Sequence, residues 1–251
     1  MRASSLFILL GITSGLYVKS TAQEGTMPKG ALLLPVSYSV YASAGDFNNR
    51  YGGSSAISLD LQNKTQRNWT FGLRFGYHFG KEINETTLLS NLSNTNGTVT
   101  DQDGYPAEMQ FFMRGISILG TFGGIINFRS SSPHSGIWIS GGAGFLQHKI
   151  KIEDLNGKTT QVGDRYIAGY DRLTNGMALQ QYLGYLYMDK NKLVNFHIGL
   201  DIIEGFTKNR RIFQYDIMEA ETHSRIDILW GLRLGWILPF YRLNKDEYFT
   251  N

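Results

Sequence analysis

The sequence contains no cysteine. It can form neither disulfides nor cysteine–zinc sites, and it lacks the residue that a lipoprotein acylates. Beyond the N-terminus no window approaches the ~20 continuous apolar residues of a spanning helix. Charge of either sign is nearly balanced. The formal net charge of +3 falls to +1 once Arg2 and Lys19 are removed with the N-terminal segment described below. That balance argues against a nucleic-acid footprint. The chain has no Gly-X-Ser-X-Gly, no His-Glu-X-X-His and no other metal-ligand spacing, so nothing in it calls for a metal or a cofactor. What it has in quantity is glycine, at 29 of 251 residues, and aromatics at 13%. Both suit an all-β chain that packs tightly on one face.

Met1–Ala22 reads as a secretory signal peptide. Arg2 supplies the charged start and Leu6–Val18 a short, glycine-broken apolar stretch. Ser20-Thr21-Ala22 supplies small residues before a mature start at Gln23. An N-terminal membrane anchor is the alternative reading. Residues 23–251 show no domain boundary and are expected to form one domain. An exported chain without a spanning helix can still cross a membrane as a closed barrel.

The stretch Trp69–Gly80 sets the pattern for the rest. Trp69, Phe71, Leu73, Phe75, Tyr77 and Phe79 alternate with Thr70, Gly72, Arg74, Gly76, His78 and Gly80. Strict period-2 alternation predicts a strand with one apolar face. The other face is small, with one Arg and one His, and fits the crowded interior of a small barrel better than a wetted surface. The aromatic face would then meet lipid. Seven further stretches follow the same rule: Gly30–Ser43, Ser55–Gln62, Phe111–Phe128, Ile137–Ile152, Leu179–Met188, Val194–Phe206 and Arg225–Phe240. In Ile137–Ile152 the alternation is less clean, and Trp138 has the wrong phase for a lipid-facing girdle.

Eight strands are expected, joined alternately by short and long connections. Gln62–Asn68, Ser130–Gly136 and Asp189–Lys192 are short, whereas Ala44–Ser54, Lys81–Gln110, Lys151–Ala178 and Thr207–Ser224 are long. This predicts an all-β, closed antiparallel transmembrane barrel, with short periplasmic turns and long extracellular loops. The low-hydrophobicity run beginning at Asn91 is expected to be a mobile loop. A soluble lipocalin-like barrel is the alternative, with its apolar face turned inward.

Arg233-Leu-Gly235-Trp-Ile-Leu238-Pro-Phe240 resembles the C-terminal β-signal that the barrel-assembly machinery reads in outer-membrane proteins, with Arg233, Gly235, Leu238 and Phe240 in its places. The departure is that Tyr241–Asn251 follows Phe240. The whole chain resembles the eight-stranded barrels of Gram-negative outer membranes, is similar in layout to the membrane domain of outer-membrane protein A, and is similar in turn and loop style to Bacteroidota proteins. The resemblance implies outer-membrane location after export, and lipid and lipopolysaccharide as surroundings. It does not imply an activity.

Asp60, Arg74, His78, His197, Asp201, Asp227 and Arg233 fall on the inward phase. An eight-stranded barrel is only wide enough for its own side chains. Inward charges are therefore expected to pair as an interior network, because an unpaired buried charge is costly. A narrow channel through His78 and His197 is the competing reading. Lipid A deacylases and palmitoyltransferases are eight-stranded enzymes, but here His134-Ser135 and His223-Ser224 are adjacent residues, which face opposite sides of a strand. No catalytic residue is assigned. Lys208, Arg210, Arg211 and Arg225 cluster at the expected outer rim, as contacts for lipid A phosphates or as ordinary loop charge. The loop Asp164–Asn175 mixes Tyr and Arg with acids, which suits a protein-contact surface. The expected role is structural, or partner-binding within an envelope secretion or assembly complex. The alternatives are a lipid A-modifying enzyme and a narrow channel.

Overall fold

The computed structural model describes residues 30–128, 135–163, 166–188 and 195–241. Eight antiparallel strands follow one another: β1 (Ala31–Gly45), β2 (Ser54–Lys64), β3 (Trp69–Gly80), β4 (Met109–Ile126), β5 (Gly136–Asp154), β6 (Thr174–Met188), β7 (Asn195–Asn209) and β8 (Ser224–Tyr241). Each pairs with its sequence neighbour, and β8 returns to β1 over the register Ala31↔Tyr241 to Gly45↔Asp227, which closes the barrel. Closure leaves no sheet edge.

The alternation read in the sequence is realised strand by strand. On β3, Trp69, Phe71, Leu73, Phe75 and Tyr77 are exposed, while Thr70, Arg74, Gly76 and His78 are buried. On β8, Ile226, Trp230, Leu232, Leu234, Trp236, Leu238 and Phe240 point outward, and Asp227, Arg233 and Gly235 point inward. Leu232 is 59% exposed in mid-barrel, whereas Asp201 and Arg233 are 0% exposed. Apolar outside and charged inside is the inverse of a soluble protein. It is the arrangement of a membrane-spanning barrel, and it excludes the lipocalin-like alternative.

The inward glycines make the small bore feasible. A Cβ on Gly72 would stand 1.9 Å from the Leu61 carbonyl oxygen, and one on Gly231 would stand 1.8 Å from that of Val40. At these places the neighbouring backbone occupies the space of a side chain.

Most strand ends differ from the sequence reading by one to three residues, and β6 by more. β6 begins at Thr174 rather than Leu179, so Thr174–Ala178 belongs to the strand and not to the loop before it. These residues continue the ladder with β5 up to His148↔Thr174. They lie above the apolar band, where no apolar alternation marks a strand. β1 likewise continues to Gly45. The signal-peptide segment Met1–Ala22, the C-terminal tail beyond Tyr241, His134 and most residues of two short turns lie outside the described residues.

The run from Asn91 is a second correction. The expected mobile loop is folded: Leu88, Leu89 and Val99 are buried, Ser93 bridges to Val99, and Asn94 Oδ1 accepts from the Asn96 and Thr98 amides. Its few apolar side chains suffice because they join a core built by the other loops.

Candidate functional site

The barrel interior is layered. At the short-turn end, Leu33, Ile125, Trp138, Leu186, Met188 and Ile237 form an apolar plug with Tyr182. Trp138, out of phase for the exterior, is buried here and donates from Nε1 to Thr70 Oγ1 at 3.2 Å.

Above the plug sits a layer of four charges. Arg74 Nε donates to Asp60 Oδ1 at 3.1 Å, between residues directly opposite in the β2–β3 register. Its Nη1 reaches Asp201 on β7 at 3.4 Å. Tyr41 Oη donates to Asp201 Oδ2 at 2.6 Å, and Gln180 Nε2 donates to Oδ1 at 2.5 Å. Arg233 Nη1 lies 3.8 Å from Asp201 Oδ1, and its guanidinium carbon lies 3.9 Å from the centre of the Tyr182 ring. Two carboxylates thus face two guanidiniums, and Arg233 adds a cation–π contact. The layer contains Asp60, Arg74, Asp201 and Arg233 of the seven residues read as one network.

The other three lie elsewhere. His78 is 3.0 Å from Ser117 Oγ, and His197 is 3.0 Å from Ser37 Oγ and 2.8 Å from Tyr182 Oη. His78 and His197 have separate partners. Each makes a His–Ser pair that sequence spacing could not reveal, because the partners come from different strands. Both pairs are buried in packed interior. Asp227 belongs to a separate group near the loop end, with His148 Nε2 at 2.9 Å, Thr207 Oγ1 at 2.5 Å and Arg225 Nη2 at 3.5 Å. His148 Nδ1 is 3.2 Å from Tyr51 Oη. Burial holds the Tyr51 phenol above its ordinary range.

The loop end is stoppered as well. The short 3-10 helix Asp46–Asn49 carries Phe47 down into the mouth, against Tyr51 and His148 at ring separations of 4.6 and 5.0 Å. This core continues upward through Leu88, Leu89, Val99, Val162 and Tyr170. The four long loops are then tied together by ions. Arg50 pairs with Glu85 at 3.5 Å and with Glu221. Arg172 pairs with Glu85 at 2.5 Å and donates from Nη1 to Asp216 at 2.9 Å. Arg172 holds φ +51°, a costly conformation for a non-glycine residue, and the two carboxylates fix it there. Arg225 is buried, bonded to the Asp46 carbonyl and paired with Glu221 at 3.3 Å. Burial raises the Glu221 carboxyl, but the Arg50 charge, the Asn209 amide and Arg225 outweigh it and hold the group below its ordinary value.

This geometry divides the four rim cations. Arg225 is enclosed, and Arg211 is engaged with Asp171 at 2.8 Å. Only Lys208 and Arg210 remain exposed, with Arg210 Nε donating to Asn175. Arg225 is committed to the cap, and the half-buried Arg211 is paired with a loop carboxylate. Of the sequence's His–Ser candidates, His223 lies 3.3 Å from Glu221, and Ser135 instead hydrogen-bonds the backbone of Met188.

One surface of the cap stays apolar and uncovered. In the loop before β8, Ile212 is 91% exposed and Met218 is 69% exposed, and Phe213 and Ile217 beside them are exposed too. The backbone is set by the Gln214–Glu219 bridge and by Tyr215, whose amide bonds the Gly169 carbonyl and whose ring meets Tyr170. These four residues are not legible in the sequence, since isolated apolar side chains in a loop carry no period.

No protein-family profile matches the sequence, and no curated relative matches it. Solved structures of similar form include Ail, the attachment invasion locus protein of Yersinia pestis, at 11% identity and TM-score 0.43 over 84% of this chain and 99% of that one. The same protein in complex with the heparin analogue sucrose octasulfate gives 11% identity and TM-score 0.41, over 84% of this chain and 99% of that one. The outer membrane protein OprG from Pseudomonas aeruginosa gives 12% identity and TM-score 0.38, over 85% of this chain and 97% of that one.

Proposed function

We propose that this chain is an integral outer-membrane protein that acts through its cap, as a partner-binding subunit of an envelope complex. The apolar exterior supports the membrane, and the short-turn and long-loop asymmetry supports turns in the periplasm and loops outside. In this reading Met1–Ala22 exports the chain. The barrel-assembly machinery then inserts it through Arg233, Gly235, Leu238 and Phe240, of which the first two face inward and the last two lipid.

One observation carries the binding role. The bore is plugged at the short-turn end and stoppered at the loop end, while a cap braced by buried ion pairs holds Ile212, Phe213, Ile217 and Met218 in the open. A bore closed at both ends does not favour transport. A rigid scaffold that leaves apolar side chains in water forgoes the free energy of burying them, and such patches mark contact surfaces. The partner is a protein with a complementary apolar patch. Lys208 and Arg210 at the foot of the loop contact lipid A phosphates.

The test is stoichiometric copurification from native membranes in mild detergent, with wild type against Ile212→Ser/Met218→Ser. Both forms should migrate as heat-modifiable barrels, and only wild type should hold its partner. Lipid A mass spectra should be unchanged by the protein's removal. Loss or gain of one acyl chain would favour the enzyme reading instead.

A further inference from the structure

A second group of cations lies on the opposite arc of the rim. Arg114 on β4 and Lys149 on β5 are directly opposite in register and share the outward face. One step toward the loops, Phe112 faces Lys151. On the other side of β4, Arg114 faces Phe79 of β3. The positions just below are apolar or neutral: Ile116 beside Gln147, then Ile118 beside Phe145. The cations therefore stand where the apolar band ends.

Like charges directly opposite on neighbouring strands repel. This pair has no internal remedy. Among the described residues Lys149 has no ion-pair partner, and Arg114 donates only to the Met113 carbonyl at 2.8 Å, with its guanidinium 4.8 Å from the Phe112 ring centre. Lys151 has Glu153 at 2.5 Å, and both are solvated. Beside Arg114 an external groove of about 440 Å³ runs over Val40, Ser55, Phe79, Lys81 and Phe112. Glu82 also borders the groove, but its carboxylate is occupied by the Gly53 amide at 2.6 Å.

We propose that Arg114 and Lys149 bind the phosphate of an outer-leaflet lipid whose acyl chain lies in the Phe79–Phe112 groove. Arg114 offers a planar fork to two phosphate oxygens, and Lys149 offers a point charge. The anion relieves their repulsion at a depth where the surroundings are only partly aqueous. The site is separate from Lys208 on β7 and from Arg210 in the loop just after it. It rests on the membrane reading of the exterior.

The experiment uses the full chain in dodecyl maltoside, with binding read by native mass spectrometry. The probes are dioleoyl phosphatidic acid, dioleoylglycerol and sodium phosphate. Wild type should hold phosphatidic acid about tenfold more tightly than dioleoylglycerol, and Arg114→Gln/Lys149→Gln should lose that margin. Arg114→Lys/Lys149→Arg should retain most of it, and Lys208→Gln/Arg210→Gln should leave it unchanged. Heat-modifiable migration establishes that each variant is folded. Equal phosphatidic acid binding by wild type and the double Gln variant would overturn the proposal. Displacement by equimolar sodium phosphate would overturn it too, as the mark of a free-anion site. A chain that stays monomeric without detergent and binds none of the probes would instead overturn the membrane reading beneath it.

Discussion

Arg74 on β3 reaches Asp201 on β7 across the bore, with Nη1 3.4 Å from both carboxylate oxygens. In an eight-stranded barrel these strands face each other across the full diameter, so one side-chain pair spans the lumen. Asp60, Arg233, Tyr41 and Gln180 complete the cross-section.

The first prediction follows from that pair. Asp201→Ala leaves two guanidiniums buried against one carboxylate, and breaking a buried pair in this way costs about 3–5 kcal/mol. Urea unfolding in detergent should show the loss. Wild type in planar bilayers should show no steady conductance. An ion-selective current abolished by His78→Ala would favour the channel reading.

The second concerns the exterior. Phe75→Arg or Leu232→Arg places a charge in the lipid-facing band and should cost about 2–4 kcal/mol near the midplane. The yield of heat-modifiable barrel should fall. If Phe75→Arg folds as a water-soluble monomer, the exterior does not face lipid.

The third separates two kinds of glycine. At Gly72 an added Cβ meets the Leu61 carbonyl at 1.9 Å, and backbone cannot yield without moving a strand. At Gly76 it meets Ser117 Oγ at 2.5 Å, and that hydroxyl can rotate. Gly72→Ala should therefore lower the unfolding midpoint well below that of Gly76→Ala. Equal midpoints would show that the bore is looser than its backbone spacing implies.

The strands were legible because each has one face toward lipid, and period 2 then writes itself into the residues. Trp138 shows the rule from its exception: out of phase, it is the plug's largest side chain. The Asp60–Arg74 pair was also legible, since alternation puts both inside and the short turn sets them opposite. The Arg74–Asp201 contact was not, because nothing local ties β3 to β7. The cap was the least legible. Arg172 draws on Glu85 and Asp216 from two other loops, and Leu88 and Val99 find their core only after all four loops have met. Arg114 is legible near one end of its apolar alternation, but Lys149 directly opposite it is not, because period 2 fixes a strand's faces and leaves its register open.

The fourth prediction tests the cap by pH. Glu221 is held below its ordinary value near 4.5, so its ion pairs contribute stability that is complete above that value and is lost as pH falls through the folded one. Hydrogen exchange of Thr207–Ser224 should be slower in wild type than in Glu221→Gln at pH 7. The difference should vanish as the pH drops below the carboxylate range. A difference that persists or grows in acid would contradict the assignment.

The central claim is that the cap, and not the bore or a catalytic group, does the work. Photo-crosslinkers placed at Ile212 and Met218, with Leu232 as the lipid-facing control, test it in native membranes. The account predicts one protein captured from both cap positions and none from Leu232, with capture from Ile212 lost when Phe213 and Ile217 are made Ser. Crosslinks from the cap to lipid alone, as from Leu232, would contradict it.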